Sequence, residues 1–421
     1  MSFKNRRLYL SGVLVMLFLF TCGSLSATKE ISFLTSGYSA AMIQYLREEV
    51  APVFLRTHGA DVTVMSVGWD QRQERIMVLT AGGTPPDVVV TGFYSPYEEG
   101  SMGLLEPLDR YMQGWPYTNR FPKQLWEAMS WRGQVMAVPQ SLDFRGIGYN
   151  KRLFAEAGLD PARPPEGWDE MIQYARRLTR IEGQTVSVQG FWCTDTAAGS
   201  AQQLFWFMRQ AGLSEINLDT FTSNLNDPRA TQALQTLLEL YEAGQNRLPV
   251  LSGGFGQGRV AMRYLAPSNV ASWVAADPEF MDNVGMFAPK QTPHSAPVSH
   301  VFANGIAIPS ASKNKDLAWD FITLLTSDEV IFELQRIGWH SAGRLDMLQR
   351  MATVQPGIEL WYNILPYLQH SVIPPPRNIA QQELGSLILQ VYGMRIAPQT
   401  ALEQVHPIWN RLLDEWRASI Q

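Results

Sequence analysis

The chain has 421 residues, 46% hydrophobic and 17% charged, an ordinary globular balance with enough apolar material for two domains. A net charge of −5, with no basic run in the body, argues against nucleic acid as a partner. Of the two cysteines, only Cys193 follows Cys22, so a processed chain has no internal disulfide, and Cys193 is expected to be buried.

At the N-terminus, Lys4, Arg6 and Arg7 precede the apolar run Leu8 to Phe20 and the small-residue stretch "TCGSLSA". This order describes a secretory signal over residues 1–27, cut near Ala27. "LFTC" resembles a loose lipoprotein box, and cutting there would leave Cys22 as an acylated first residue. The apolar run is 13 residues (8 to 20), against about 20 for a spanning helix, so a signal anchor is the weaker reading. The protein is expected to be exported, to the periplasm or the outer face of the cytoplasmic membrane.

"EISFLT" is strand-like, and "AAMIQYLREEVAPVF" carries Met42, Ile43, Leu46, Val50, Val53 and Phe54 at helical spacing. "DVTVMSV" alternates as a strand, Gln71 to Thr80 suits a helix, and "PDVVVTG" reads as a buried parallel strand. Strands alternating with helices imply a parallel-type sheet, whose ligands sit beyond the carboxyl ends of the strands. Thr35 to Tyr38, Trp69 and Gly92 to Tyr94 would form that rim.

Further along, Asn150 can cap a short helix with Leu153, Phe154 and Ala157 inward, and Gly158 supplies its left-handed stop. Pro161, Pro164 and Pro165 prevent continuation, and Gly167 precedes a second helix whose stripe is Trp168, Met171, Ile172, Ala175 and Leu178. Asp227, Pro228 and Gly244 frame a third helix, with Gly244 placed just past its end. "SKNKDLAWDFITLLTS" puts Leu317, Ala318, Phe321, Ile322 and Leu325 inward. Two apolar helices, near Ile379 to Met394 and Pro398 to Trp416, complete the series.

Several segments, in order, resemble the extracellular solute-binding proteins of ABC importers, especially the sugar-binding branch that includes maltose-binding protein. They are "GGTPPDVVVTG", "GLLEPLDRYM", "MAVPQSLDFRGIGYNKRLFAEAGL", "PPEGWDEMIQYARRLT", "FGQGRVAMRY" and "NGIAIPSASKNKDLAWDFITLLTS". The resemblance implies an α/β, two-lobed periplasmic-binding-protein fold of type II-like form, with a ligand cleft between lobes joined by a multi-strand hinge. It implies lobe 1 over 28–140 plus 291–340 and lobe 2 over 141–290 plus 341–421. Crossings fall near Gln140 to Phe144, Phe287 to Lys290 and Trp339 to Gly343. Two departures stand out. Gly167 replaces the family's usual Thr, weakening that helix cap by roughly a few tenths of a kcal/mol. "LAPSNVASW" replaces the family's Gly-Pro-Trp, so Ser268 or Asn269 stands where a stacking Trp is usual, with Trp273 further along.

A sugar offers apolar ring faces to planar side chains and hydroxyl edges to short polar groups. Tyr38, Trp69, Tyr94, Trp192 and Trp339 are the aromatic candidates, each of which either stacks on ligand or packs in the core. Asp143 and Arg145 lie at the first crossing and either line the cleft floor or form a hinge ion pair. Asn304 precedes "GIAI" and is either a cleft group or a turn residue. Arg377 follows "IPPP" and either forks to an anionic or hydroxyl group or is a solvated loop charge.

The six histidines show no metal-ligand spacing, and no Gly-x-Ser-x-Gly elbow or P-loop occurs, so no metal, cofactor or catalytic residue is expected. The expected function is the substrate-binding component of an ABC importer, not an enzyme, that captures a carbohydrate and delivers it to a membrane permease. It is expected to act as a monomer. A polyol, phosphorylated polyol or other organic anion is the alternative cargo, and an exported glycosidase is the alternative class.

Overall fold

The computed structural model describes residues 29–92, 95–245 and 247–420. The expected export signal, with Cys22, and the candidate Tyr94 lie outside these residues. In chain order, the principal strands are β1 (Lys29–Ser36), β2 (Ala60–Val67), β3 (Val88–Gly92), β4 (Val138–Asn150), β5 (Arg180–Glu182), β6 (Thr185–Phe191), β7 (Val260–Leu265), β8 (Val284–Phe287) and β9 (Ser299–Ala307). They join one sheet in the order β2-β1-β3-β9-β4-β7-β6-β5, with β8 also paired to β4.

The alternation of strand and helix dictates the pairing. β1 lies parallel to β2 and β3, and β7 lies parallel to β6, each pair linked through helices. β4 connects the two parallel sets. Its residues Val138 to Arg145 run antiparallel to β9, and Gly146 to Asn150 run antiparallel to β7 and β8. The exchange of partners falls between Arg145 and Gly146. Here the sheet has two halves that share one 13-residue strand.

Local sequence determines the flanking helices. Asn150 Oδ1 accepts from the Leu153 amide at 3.0 Å, capping Lys151–Glu156, and Gly158 follows in the left-handed region at φ 69°. The helix Trp168–Leu178 buries the whole anticipated stripe and adds Tyr174. No side chain caps it at Gly167. Instead, the Trp168 amide donates to the Gln291 carbonyl at 3.1 Å, and Glu170 accepts from the Glu166 amide at 2.7 Å. The helix Lys315–Leu325 buries Ala318, Phe321, Ile322 and Leu325, with Leu317 partly covered. C-terminally, Arg377–Tyr392 packs along Ala197–Gln210, and Pro398–Ser419 continues through Pro407. Cys193 is buried, and burial pushes its thiol up to about 12.

Gly244 departs from its expected place. It lies inside the helix Pro228–Gln245, and a Cβ there would sit 2.2 Å from the carbonyl oxygen of Phe191. The glycine permits the helix to approach β6, so it is not a C-terminal stop. In an unconstrained helix Gly→Ala gains about 1 kcal/mol. Here Gly244→Ala is expected to lose about 1–3 kcal/mol by overpacking, measured by urea denaturation.

Segments after β9 tie to the two halves of the sheet, Ser341–Ala342 pairing with β4 and Leu368–Gln369 with β9. Arg344 donates to the Thr326 carbonyl at 3.0 Å and pairs with Asp328 at 2.6 Å. Gln355 donates to the Gln335 carbonyl at 3.1 Å, which ties residues 344–355 to the helix Asp328–Gly338. Trp361, fully buried, donates instead to the Leu265 carbonyl of β7 at 3.1 Å. The C-terminal helix reaches both halves through Trp416, which meets Tyr97, Trp131 and Phe221.

Candidate functional site

Side chains alternate along β4, so Ser141, Asp143 and Arg145 share one face while Leu142 and Phe144 are buried on the other. Opposite them on β9 stand Asn304, Phe302 and His300, in register Ser141 with Asn304, Asp143 with Phe302 and Arg145 with His300. The register then slips. Gly305 pairs with Pro139, which leaves Gln140 as the extra residue of a bulge.

The bulge re-aims Gln140. Its Oε1 accepts from the Tyr38 hydroxyl, and burial raises the Tyr38 phenol far above its usual range. Among the described residues, Gln140 Nε2 has no partner, nor does Asn304 Oδ1, whose Nδ2 donates to Ser141 Oγ at 3.2 Å. Ser36 Oγ, at the carboxyl end of β1, is likewise buried without a partner among the described residues. Orphan polar atoms of this kind are costly unless a water or ligand completes them. They belong to β1, β4 and β9, which with β3 are neighbours in the sheet.

Half-buried aromatics lie at the carboxyl ends of the parallel strands. Tyr38 follows β1, Trp69 follows β2 and Trp192 follows β6. The Trp69 indole covers Gly37, whose φ of 76° and bare backbone admit it; a Cβ there would lie 2.5 Å from Trp69 Nε1. Trp339 ends the helix Asp328–Gly338 in the left-handed region at φ 52°, an unfavourable conformation for a large side chain. Next to it, His340 is held below its ordinary pKa by burial, with Asp143 opposing that shift.

Arg145 pairs with Asp143 at 2.7 Å, with side-chain exposures of 24% and 13%. The pair is therefore an ion pair at the point where β4 changes partners. Asn304 lies within β9 and is not a turn residue. Arg377 is not a solvated loop charge: it opens its helix, is 9% exposed and donates to Ser95 Oγ at 2.7 Å. Burial raises the nearby Glu98 carboxyl, against the pull of Arg377.

Two features escaped the sequence reading. Gln140 is re-aimed by a bulge, and a register slip leaves no trace in composition. Arg263 interrupts the apolar run "VAMRYL" of β7, and that interruption was the signal available. Trp273, by contrast, packs with Phe255 and Phe280 over Gly256. Asn269 caps its own helix by accepting from the Ala266 amide at 2.9 Å.

The sequence profile of the bacterial extracellular solute-binding protein family matches residues 36–331. The chain belongs to that family. Among this solute-binding protein's relatives is a putative binding protein of Brucella abortus, 25% identical over 328 residues, which cover 76% of this chain and 77% of the relative. Among solved structures, the sugar-binding protein MalE of Xanthomonas citri superposes with a TM-score of 0.78 at 19% identity, covering 92% of this chain and 98% of that one. An ABC transporter solute-binding protein of Thermotoga lettingae, bound with alpha-D-tagatose, gives 0.74 at 21%, covering 91% and 100%. The solute-binding protein thus has the two-lobed α/β fold of these structures.

Proposed function

We propose that this protein is the substrate-binding component of an ABC importer and that its cargo is a carbohydrate. The observation that carries the reading is the pairing of half-buried aromatics at the carboxyl ends of β1, β2 and β6 with unpartnered buried amide and hydroxyl atoms at Gln140, Asn304 and Ser36. Flat rings suit sugar ring faces, and the orphan groups suit hydroxyl edges. The sugar-binding neighbours support this choice of cargo.

The lobes close by bending the segments that join them: β4 near Arg145, the stretch between β8 and β9, and residues 341–361. Closure brings Tyr38, Trp69, Trp339, Asn304, Asp143 and Arg145 toward Trp192 on the second half, with Arg377 at the rim. The solute leaves chemically unchanged, and the closed form hands it to the membrane permease. The protein acts outside the cytoplasmic membrane, as a monomer, after removal of residues 1–27 or acylation of Cys22.

Melting curves with a panel of mono- and oligosaccharides test this. A cognate saccharide at a hundred times its Kd is expected to stabilise the protein by about 2.7 kcal/mol, because it binds only the folded form. A panel that leaves the transition unmoved, with a non-sugar polyol shifting it, contradicts the carbohydrate cargo.

A further inference from the structure

Two guanidinium groups occupy this end of the sheet, and one carboxylate serves them. Arg145 takes Asp143 as its partner at 2.7 Å. Arg263 lies on β7 opposite Gly148, with its Cζ 4.3 Å from the centre of the Trp192 ring. Among the described residues, its Nε donates to the carbonyl of the adjacent Tyr264, at 3.2 Å. Among the described residues, Arg263 has no carboxylate within ion-pair distance. Burial and the charge of Arg145 lower its pKa to about 10, which still leaves it protonated at neutral pH.

A partly desolvated cation facing a second cation is unfavourable, and a structure tolerates it poorly without a counter-charge. The position suggests where that charge comes from. Trp192 follows β6 and Arg263 lies in the carboxyl-terminal half of the adjacent parallel strand β7, on the side where open α/β sheets take their ligands. The indole restricts the guanidinium before any ligand arrives, so less side-chain freedom is lost on pairing.

We propose that the bound saccharide is acidic, and that its carboxylate, phosphate or sulfate group pairs with Arg263. Arg145, already neutralised by Asp143, adds longer-range attraction, and the aromatics take the sugar rings. The inference rests on the carbohydrate reading and narrows it to a substrate class; Arg263 is the residue that determines it.

Calorimetric titration with matched probes tests it: glucuronate and glucose 6-phosphate against glucose, and digalacturonate against maltose. At least one acidic probe is expected to bind tenfold or more tightly than its neutral counterpart, and to weaken as salt is added. Whichever acidic probe binds identifies the anionic group. Arg263→Met is expected to lose that preference, while the unliganded variant melts at the same temperature or higher because an unpaired cation is gone. Arg263→Lys, which keeps the charge without the fork, is expected to retain part of the preference. Equal binding of acidic and neutral partners overturns the inference and leaves the carbohydrate reading standing. A lower melting temperature for unliganded Arg263→Met marks a structural cation and overturns it too. Failure of every saccharide to bind overturns both.

Discussion

Replacing Arg72 by methionine is expected to destabilise the protein by about 3–5 kcal/mol, the usual loss when one member of a buried ion pair is removed. Arg72 is 1% exposed and Glu99 is 2% exposed. The guanidinium grips both carboxylate oxygens, with Nη2 to Oε2 at 2.9 Å, and its Nε donates to the Val90 carbonyl of β3. Thr91 Oγ1 also donates to Glu99 Oε2, at 3.2 Å. The cation thereby fixes the carboxyl end of β3 to the helix Ser95–Ser101, which starts at the residue that accepts from Arg377. Without Arg72, the buried Glu99 side chain loses its counter-ion, and Val90 loses a donor. The double variant Arg72→Met, Glu99→Met is expected to recover most of the loss, since an apolar pair of similar volume replaces the ions. Urea denaturation of both variants checks this. If the single variant is as stable as the parent, the pair is not holding this corner.

The second large effect is acid sensitivity centred on His300. Its Nε2 lies 2.7 Å from Ser371 Oγ, and the serine hydroxyl in turn donates to Glu215 Oε1 at 2.6 Å. Ser371 has thus spent its proton on Glu215, so His300 Nε2 must be the donor and Nδ1 the bare nitrogen. Among the described residues, the buried His300 Nδ1 has no partner, and the residue is 1% exposed between Trp206 and Phe302. A second proton would therefore sit in an apolar pocket facing Arg209 and Arg145, with His370 also adverse. Burial first, and those charges after it, hold the His300 pKa well below its ordinary value.

The unfolded histidine titrates near 6.5, while the folded one resists protonation at that pH. Stability is therefore complete above pH 6.5 and falls as the pH drops below it, by up to about 1.4 kcal/mol per pH unit for this one group. His340 and His370 are shifted the same way, again mainly by burial, and add to the trend. His300→Gln keeps an amide donor for Ser371 and removes one titrating group. Its denaturation midpoint is expected to fall less between pH 7 and pH 5 than that of the parent. Parallel pH profiles would show instead that His300 is not the sensor.

The strands and helices were legible where one period dominates the pattern. "DVTVMSV" and "PDVVVTG" became β2 and β3, and the stripe from Trp168 to Leu178 is buried as its spacing implies. Gly244 misled because a glycine near a helix end reads as a stop, whereas its role is set by Phe191, more than fifty residues away in sequence. The candidate site was legible in part for the same reason. Tyr38 and Trp69 follow strands visible in the alternation, so their place at the carboxyl edge could be read from it, whereas the strand Thr185–Phe191 before Trp192 was not read. Asp143 and Arg145 share a face because they are two apart on a strand, a local fact. The orphan amide of Gln140 depends on a bulge against β9, and the isolation of Arg263 depends on where every carboxylate lies in space. Neither is a property of a sequence window.

Small-angle X-ray scattering with and without the saccharide that shifts the melting curve tests the central claim most directly. Lobes that close on their cargo predict a smaller radius of gyration on saturation, with a half-effect at the same concentration that half-saturates binding. An unchanged radius at saturation, or release of a cleaved sugar during the measurement, would contradict capture by closure.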